Sequence, residues 1–167
     1  MKVRDIMTDK VAFTNPRASV TEVAQLMQKH DVGSIPVCDE NGVIGIVTDR
    51  DIVIRSVANA TDTRQAQVQD VMTSHVWAAS PDMDTDELAK MMGEYQIRRV
   101  PVVENNQLVG IVALGDIAVD RRFDVEASEA LSEISIPAKP EEPEEQERSD
   151  RSDRSGNMRR PGRSEQC

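Results

Sequence analysis

The sequence predicts an α/β (α+β) fold made of two tandem repeats, each with the element order β-α-β-β-α. Two observations support this prediction: the chain repeats itself, and short apolar runs alternate with helical patterns in each copy. When the 167-residue sequence is shifted by 65 positions, residues 3–54 fall on 68–119 without a gap, and 17 of the 52 aligned positions are identical. Two repeats are too few for a solenoid. We therefore expect the copies to pack on each other about a pseudo-twofold axis.

Local signals predict the elements of the first repeat in order. A short strand is expected at 11–13, and the capping-box residues Ser19 and Glu22 precede a helix at about 20–30. Asn41-Gly42 is a strong hairpin signal. The two strands of the hairpin and the helix that follows are expected at 32–38, 43–47 and about 49–58.

The second repeat copies this order and sets the domain boundaries. Asp84 and Glu87 begin a helix, and the remaining elements are expected at 99–103, at 108–112 and from Gly115 onward. The predicted division of the chain is repeat one at 1–58, a polar linker at 59–67, repeat two at 68–122, a C-terminal extension at 123–136 and a charged tail at 137–167.

The C-terminal tail is expected to be disordered, because it has almost no apolar residues with which to form a core. An acidic run from Glu141 to Glu147 precedes six arginines between Arg148 and Arg163. Two interpretations stay open. The tail either keeps the protein in solution or docks on a partner.

Composition narrows the class of protein. Aromatic residues make up 2% of the chain, so the core must be aliphatic. A net charge of −10 argues against nucleic-acid binding, because phosphate contacts need clustered Lys and Arg. The sequence has no signal-like N-terminus and no apolar segment of about 18 residues. We expect a cytoplasmic protein that does not bind a membrane.

The most informative stretch is Gly45-Ile46-Val47-Thr48-Asp49-Arg50-Asp51, the end of a strand running into a helix. Thr48 and Asp51 have the spacing of a capping box, which is one explanation of the pair. In the second copy, Ala113 replaces the threonine while Asp116 stays. An aspartate that stays without the full capping box suggests a second role.

That second role is predicted to be nucleotide binding. A carboxylate accepts two hydrogen bonds from the vicinal diol of a ribose. A helix N-terminus suits phosphate, to which Thr48 adds a hydroxyl. The cations that could balance phosphate charge and the strands that could form apolar walls for a base are Arg50, Arg55, Arg98, Arg99, Ile35-Pro36-Val37 and Val100-Pro101-Val102.

Other chemistry-bearing residues are interpreted as structural. His30 and His75 have no partner at zinc-ligand spacing, so we expect no metal site. Cys38 is expected to be buried, and Trp77 either fills space between the repeats or stacks on a base. No nucleophile motif or Gly-rich phosphate loop is present, which argues against an enzyme.

These features together resemble a known family. Each copy has Asp-x-Met-Thr near its start, an apolar-Pro-Val strand in its middle, and a Gly-apolar-apolar segment before its last helix. This order resembles the CBS domain, and residues 1–122 resemble a tandem CBS pair, or Bateman module. The stretches Thr48–Ile52, Gln96–Val103 and Leu114–Ile117 are similar to those of stand-alone bacterial CBS proteins.

The resemblance implies a regulatory module, commonly a homodimer, with no obligatory cofactor. Its clefts would bind AMP, ADP, ATP, NAD or S-adenosylmethionine. Carried over by position, Asp51 would hold the ribose and Thr48 the phosphate or ribose, with Val11 and the Ile35-Pro36 backbone around the adenine. Asp116 would hold the ribose of a second ligand, with Val76 and Val100-Pro101 at the base. Further candidate contacts are Gly45, Arg50, Arg99 and Gly110. Ala113 predicts a weaker second site.

Three functions compete on the sequence alone. The leading hypothesis is an adenosine-nucleotide sensor that acts in trans on a partner. The second is a structural or interaction protein with vestigial nucleotide sites that acts through its tail. The third is a small enzyme acting on nucleotides, which lacks a visible base or nucleophile.

Overall fold

In the computed structural model, the first α-helix begins at its predicted cap. Helix α1 (Val20–His30) starts after Ser19, whose hydroxyl accepts from the Glu22 N–H while the Glu22 carboxylate accepts from the Ser19 N–H. A left-handed residue, Asp31, ends the helix. Strands β1 (Ser34–Asp39) and β2 (Gly42–Thr48) then form an antiparallel hairpin. Helix α2 (Asp49–Ile52) follows β2 directly and continues into a π-helical turn at Val53–Val57.

The second repeat has the same order, which confirms the predicted fold class. Its elements are α3 (Val68–Val71), α4 (Thr85–Glu94), β3 (Arg99–Glu104), β4 (Gln107–Ala113) and α5 (Leu114–Ala118). Each repeat has its own two-stranded sheet. Both hairpins shift register at the same aligned place, after Val37 in one and after Val102 in the other. The structure describes residues 1–119 and 124–136, so the predicted tail lies outside the described residues.

The first strand predicted at 11–13 is wrong. Instead of a strand, one residue of each copy makes a single parallel bridge to the neighbouring hairpin: Thr14 to Val37, and Ala79 to Val102. Pro16 follows two residues after Thr14, and a proline has no N–H with which to extend a ladder. Phe13 is 61% exposed, so no side chain there anchors the segment in the core.

The two repeats exchange their first segments. Val3, in a 3-10 turn at Val3–Asp5, is fully buried among the core residues of the second repeat, including Leu88. Val68 and Val71 of α3 are buried in the core of the first repeat. The backbone repeats this exchange symmetrically. The Val3 N–H donates to the Met83 carbonyl at 3.0 Å, and the Val68 N–H donates to the Ala18 carbonyl at 2.9 Å. Each core is therefore built from both halves of the sequence.

Glycines in β2 and β4 make room for this exchange. A Cβ atom at Gly45 would lie 2.4 Å from the Met72 Sδ, and one at Gly110 would lie 2.6 Å from the Met7 Sδ. Methionines from the exchanged segments thus pack directly on the strand backbones. The close contact at Gly45 is therefore made by a methionine of this chain.

A C-terminal helix, α6 (Asp124–Ile134), was not predicted from the sequence. It packs on α4, where a Cβ at Gly93 would lie 3.4 Å from the Ala130 Cα. Ala127 and Ala130 are its buried contacts with the second core. Small residues on both helices allow the close approach. Among the described residues, no helix is long and apolar enough to cross a membrane.

Candidate functional site

Two related clefts between the repeats are built around the aligned aspartates, Asp51 in the first and Asp116 in the second. In the first cleft, of about 230 Å³, the end of β2 and the start of α2 face residues of the second repeat. Its lining is Ser34, Ile46, Thr48, Asp51, Thr73, His75, Val76, Trp77, Ile97, Arg98, Arg99 and Pro101. The aspartate singled out in the first repeat therefore lies in a concave surface with cations and an aromatic ring.

The second cleft is the pseudo-symmetric copy of the first. Shifting the first set by 65 positions reproduces the second lining with three differences: Pro36, the counterpart of Pro101, is absent from the second lining, and His30 and Asp31 are added to it. The second cleft has a volume of about 360 Å³. Its lining is Thr8, Lys10, Val11, Ala12, His30, Asp31, Val32, Gly33, Ser34, Arg99, Ile111, Ala113 and Asp116.

In the first cleft, Thr48 and Asp51 form a complete capping box. The Asp51 N–H donates to the Thr48 Oγ1 at 3.1 Å, and the Thr48 N–H donates to the Asp51 Oδ2 at 3.0 Å. The other carboxylate oxygen, Oδ1, lies 3.5 Å from the Arg55 Nη2. The Asp51 side chain is 14% exposed, so it is desolvated on one side and open to the cleft on the other.

Arg55 ties this aspartate to the exchanged segment. Its Nη1 donates to the carbonyls of Val71 and Met72 at 2.9 and 3.0 Å. The next residue, Thr73, pairs with Ile46 of β2 through two backbone hydrogen bonds. These bonds hold the two walls of the first cleft together.

The second cleft keeps half of the capping arrangement. The Ala113 N–H donates to the Asp116 Oδ2 at 2.7 Å. The alanine side chain has no oxygen that could accept a hydrogen bond from the Asp116 N–H in return. Asp116 thus has the same backbone contact as Asp51 without the neighbouring hydroxyl. A lone aspartate at a helix start still has a structural role here.

Aromatic rings occupy one end of the first cleft. Trp77 stacks on Tyr95 with ring centroids 3.6 Å apart and planes 12° apart, and His75 meets Trp77 edge-on at 5.0 Å. The sequence left open whether Trp77 packs or faces a ligand. Trp77 packs on Tyr95 and also lines the cleft, and its contact with a base stays a prediction.

The predicted grouping of the base-side residues is wrong. Val11 lies in the cleft of Asp116, and Val76 lies in the cleft of Asp51. The reason is the exchange of first segments. Thr8 pairs with Ile111 of β4, so the residues after it run along the second repeat. Pro101, which was expected in the cleft of Asp116, likewise lines the first cleft with Asp51.

Several predicted contacts lie outside both clefts. Ile35 and Val100 are fully buried core residues, and Pro36 is buried in β1. Gly45 and Gly110 are covered by the methionines described above. Arg50 is exposed and lines neither cleft. Among the predicted cations, Arg98 lines the first cleft and Arg99 lines both.

Some of the residues missed as site candidates come from the exchanged segments, and others, such as Ser34, come from the strands. Thr73, His75, Thr8 and Lys10 line the clefts but carry no motif of their own. Their only sequence signal is position, since they flank Val76 and Val11 in the aligned copies.

The predicted structural residues have mixed outcomes. Cys38 is half-buried rather than buried, and burial, followed by the charge of Asp39, raises the pKa of its thiol above the ordinary value. His30 lines the second cleft. Within residues 1–119 and 124–136, no group of three or more His, Cys, Asp or Glu side chains is placed to hold a metal ion.

Comparison with known proteins assigns the family. The CBS domain family model matches residues 3–57 and 68–119, the two copies that frame the clefts. The chain belongs to the CBS domain family. The CBS domain-containing protein YhcV of Bacillus subtilis is 42% identical over 133 residues, covering 80% of this chain and 94% of that protein.

Solved CBS proteins share this fold. The crystal structure of Hypoxic Response Protein I with two coordinated zinc ions matches with a TM-score of 0.66 and 36% identity, covering 71% of this chain and 98% of that one. The CBS domain pair of protein MJ0100, in complex with 5-methylthioadenosine and S-adenosyl-L-methionine, matches with a TM-score of 0.62 and 32% identity. It covers 71% of this chain and 94% of the MJ0100 chain.

Proposed function

We propose that this CBS pair is a regulatory sensor that binds an adenosine-containing ligand in the clefts between its repeats. The observation that carries the proposal is the composition of the first cleft. It places the Asp51 carboxylate of one repeat opposite Val76, Trp77 and the arginines of the other. A diol acceptor, apolar walls and cations are the three contacts that a nucleotide needs.

Each part of an adenosine nucleotide has a candidate contact. Asp51 uses Oδ2 for the Thr48 N–H, which leaves Oδ1, beside Arg55, to accept from the ribose hydroxyls. Val76 and Trp77 form the wall for the base. Arg98 and Arg99 are exposed at the mouth and would meet the phosphate, where guanidinium groups form charge-assisted hydrogen bonds. The bound ligand of the MJ0100 pair has the same adenosine core.

The first cleft is proposed to bind more tightly than the second. The first has the Thr48 hydroxyl and the Trp77 ring, and the second has Ala113 and Ala12 at the aligned positions. The first cleft also has two arginines, Arg98 and Arg99, whereas the second cleft has Lys10 and Arg99. AMP, ADP, ATP, NAD and S-adenosylmethionine are the candidate ligands, because all contain the adenosine that these residues would contact.

The proposed output is a change in a partner protein, without chemistry on the ligand. Val53, Ile54 and Val57, after α2, are exposed apolar side chains, and we propose that they pack against a second copy in a homodimer. A ligand that binds one arrangement of the two CBS repeats more tightly would shift the protein toward that arrangement and so regulate a partner in trans.

Fluorescence titration tests the proposal directly. Trp77 is the only tryptophan of the chain and lines the first cleft, so its emission reports binding there. We expect at least one of the five ligands to change it saturably. Asp51→Asn keeps an acceptor for the Thr48 N–H but loses the carboxylate, and should weaken binding by roughly 10–100-fold.

Asp116→Asn is the matched control, because it makes the same chemical change in the other cleft. It should leave the Kd from the Trp77 titration within about threefold of the wild type.

Ligand binding should also stabilise the fold. At a ligand concentration of 100 times Kd, the free energy of unfolding of the wild type should rise by about 2.7 kcal/mol. If none of the five ligands changes either the emission or the melting temperature, the sensor proposal is wrong and the interaction-protein hypothesis takes its place.

A further inference from the structure

One residue pair lies at the centre of the pseudo-symmetry. Ser34 and Arg99 occupy the aligned first positions of β1 and β3, and both residues line both clefts. The pair is symmetric in position and asymmetric in chemistry, since a serine stands on one side and an arginine on the other. Arg98 lines only the first cleft and Lys10 only the second.

The Arg99 side chain reaches across the centre. A Cβ atom built at Gly33, in the wall of the second cleft, would lie 3.7 Å from the Arg99 Nη2. Arg99 is exposed, and it has no ion pair within 4.0 Å among the described residues. Its guanidinium is therefore not committed to a carboxylate and can serve a ligand.

We propose that Arg99 couples the two clefts negatively for ligands that carry a phosphate. This inference rests on the proposed function. A phosphate bound in one cleft would hold the guanidinium there, and the other cleft would lose a cation that it otherwise uses. Because coupling is reciprocal, each phosphate ligand weakens the other by the same factor. An adenosine ligand without a phosphate does not hold Arg99, so its two sites are independent.

Calorimetric titration of AMP measures this coupling. Asp116→Asn leaves the first cleft to report its own affinity, and Asp51→Asn does so for the second. In the wild type, the overall constant for the doubly bound state should fall about tenfold below the product of the two single-site constants, as expected for sharing one charge-assisted hydrogen bond.

Two variants and one ligand separate this mechanism from simple repulsion between two phosphates. Arg99→Gln should abolish the tenfold deficit, whereas repulsion would keep or enlarge it. Arg98→Gln is the matched control: it should weaken the first cleft and leave the deficit unchanged. With 5′-methylthioadenosine, which has no phosphate, the wild type should show no deficit.

The outcomes distinguish the two proposals. Binding of AMP to both clefts with no deficit, or a deficit that survives in Arg99→Gln, overturns the coupling and leaves the sensor function intact. Failure of AMP to bind overturns the coupling, and failure of all five ligands to bind either cleft, in a protein whose melting curve is normal, overturns both proposals.

Discussion

At the scale of single residues, the carboxylate of Asp51 reconciles two explanations that the sequence could not separate. One oxygen caps a helix by accepting from the Thr48 N–H, and the other lies beside Arg55 at the cleft. A carboxylate has two oxygens, so one residue can complete the local fold and still face a ligand. The Asp116 carboxylate makes the same backbone contact in the second repeat.

Gly110→Ala should destabilise the protein by about 1–3 kcal/mol, because the new methyl group would overpack the strand. Its Cβ would meet the Met7 Sδ at 2.6 Å and the backbone oxygen of Thr8 at 3.1 Å. Urea denaturation measures the loss.

Gly115→Ala is the control for this change. Nothing lies within 4 Å of a Cβ at Gly115, which is inside α5, so alanine there should be neutral or stabilising by about 0.5–1 kcal/mol. Equal losses at the two glycines would contradict the packing explanation.

At the scale of elements, local signals were sufficient where the neighbouring residues decide the structure. The Ser19 capping box and the Asn41-Gly42 turn placed α1 and the first hairpin within about two residues. Helix α6 was missed because its buried contacts are the alanines Ala127 and Ala130, which leave no strong apolar pattern. The strand at 11–13 failed because pairing partners depend on tertiary contacts.

Ala113→Thr should stabilise α5 by about 1 kcal/mol by supplying the missing N-cap oxygen. The backbone is already suited to it, since Ala113 has φ −100° and ψ 154° and the capping Thr48 has φ −116° and ψ 161°.

The reverse change, Thr48→Ala, should cost about the same amount in the first repeat. Both variants are compared with the wild type by urea denaturation. If Ala113→Thr is destabilising, the second cleft has no room for the hydroxyl and the two caps are not equivalent.

At the scale of the whole molecule, the exchange of first segments decides which residues form each cleft. The duplication was readable from the sequence, and so were the two aspartates. The partners of each aspartate were not, because Thr8 pairs with Ile111 across a separation that no local pattern encodes. The predicted base-side residues were therefore assigned to the opposite clefts.

Val3→Ala should loosen the second repeat rather than the first. Val3 is fully buried in the second core, and loss of most of its side chain should cost roughly 1.5–3 kcal/mol. Hydrogen exchange should then quicken mainly in α4 and β3.

Val68→Ala is the matched change, and exchange should quicken mainly in α1 and β1, because Val68 is buried in the first core. If each variant loosened the repeat that contains it in sequence, the exchanged arrangement would be wrong.

The exchange also has a consequence for synthesis on the ribosome. Val3 emerges from the ribosome early, but its backbone partner Met83 is 80 positions later in the chain. At about 5–20 residues per second, the first segment waits roughly 4–16 s for its own core. Meanwhile the first repeat offers the place that Val68–Val71 will fill, and the waiting segment has nearly the same sequence. Until Val68–Val71 is synthesised, the nascent chain therefore contains another segment of similar sequence that can compete for this docking place.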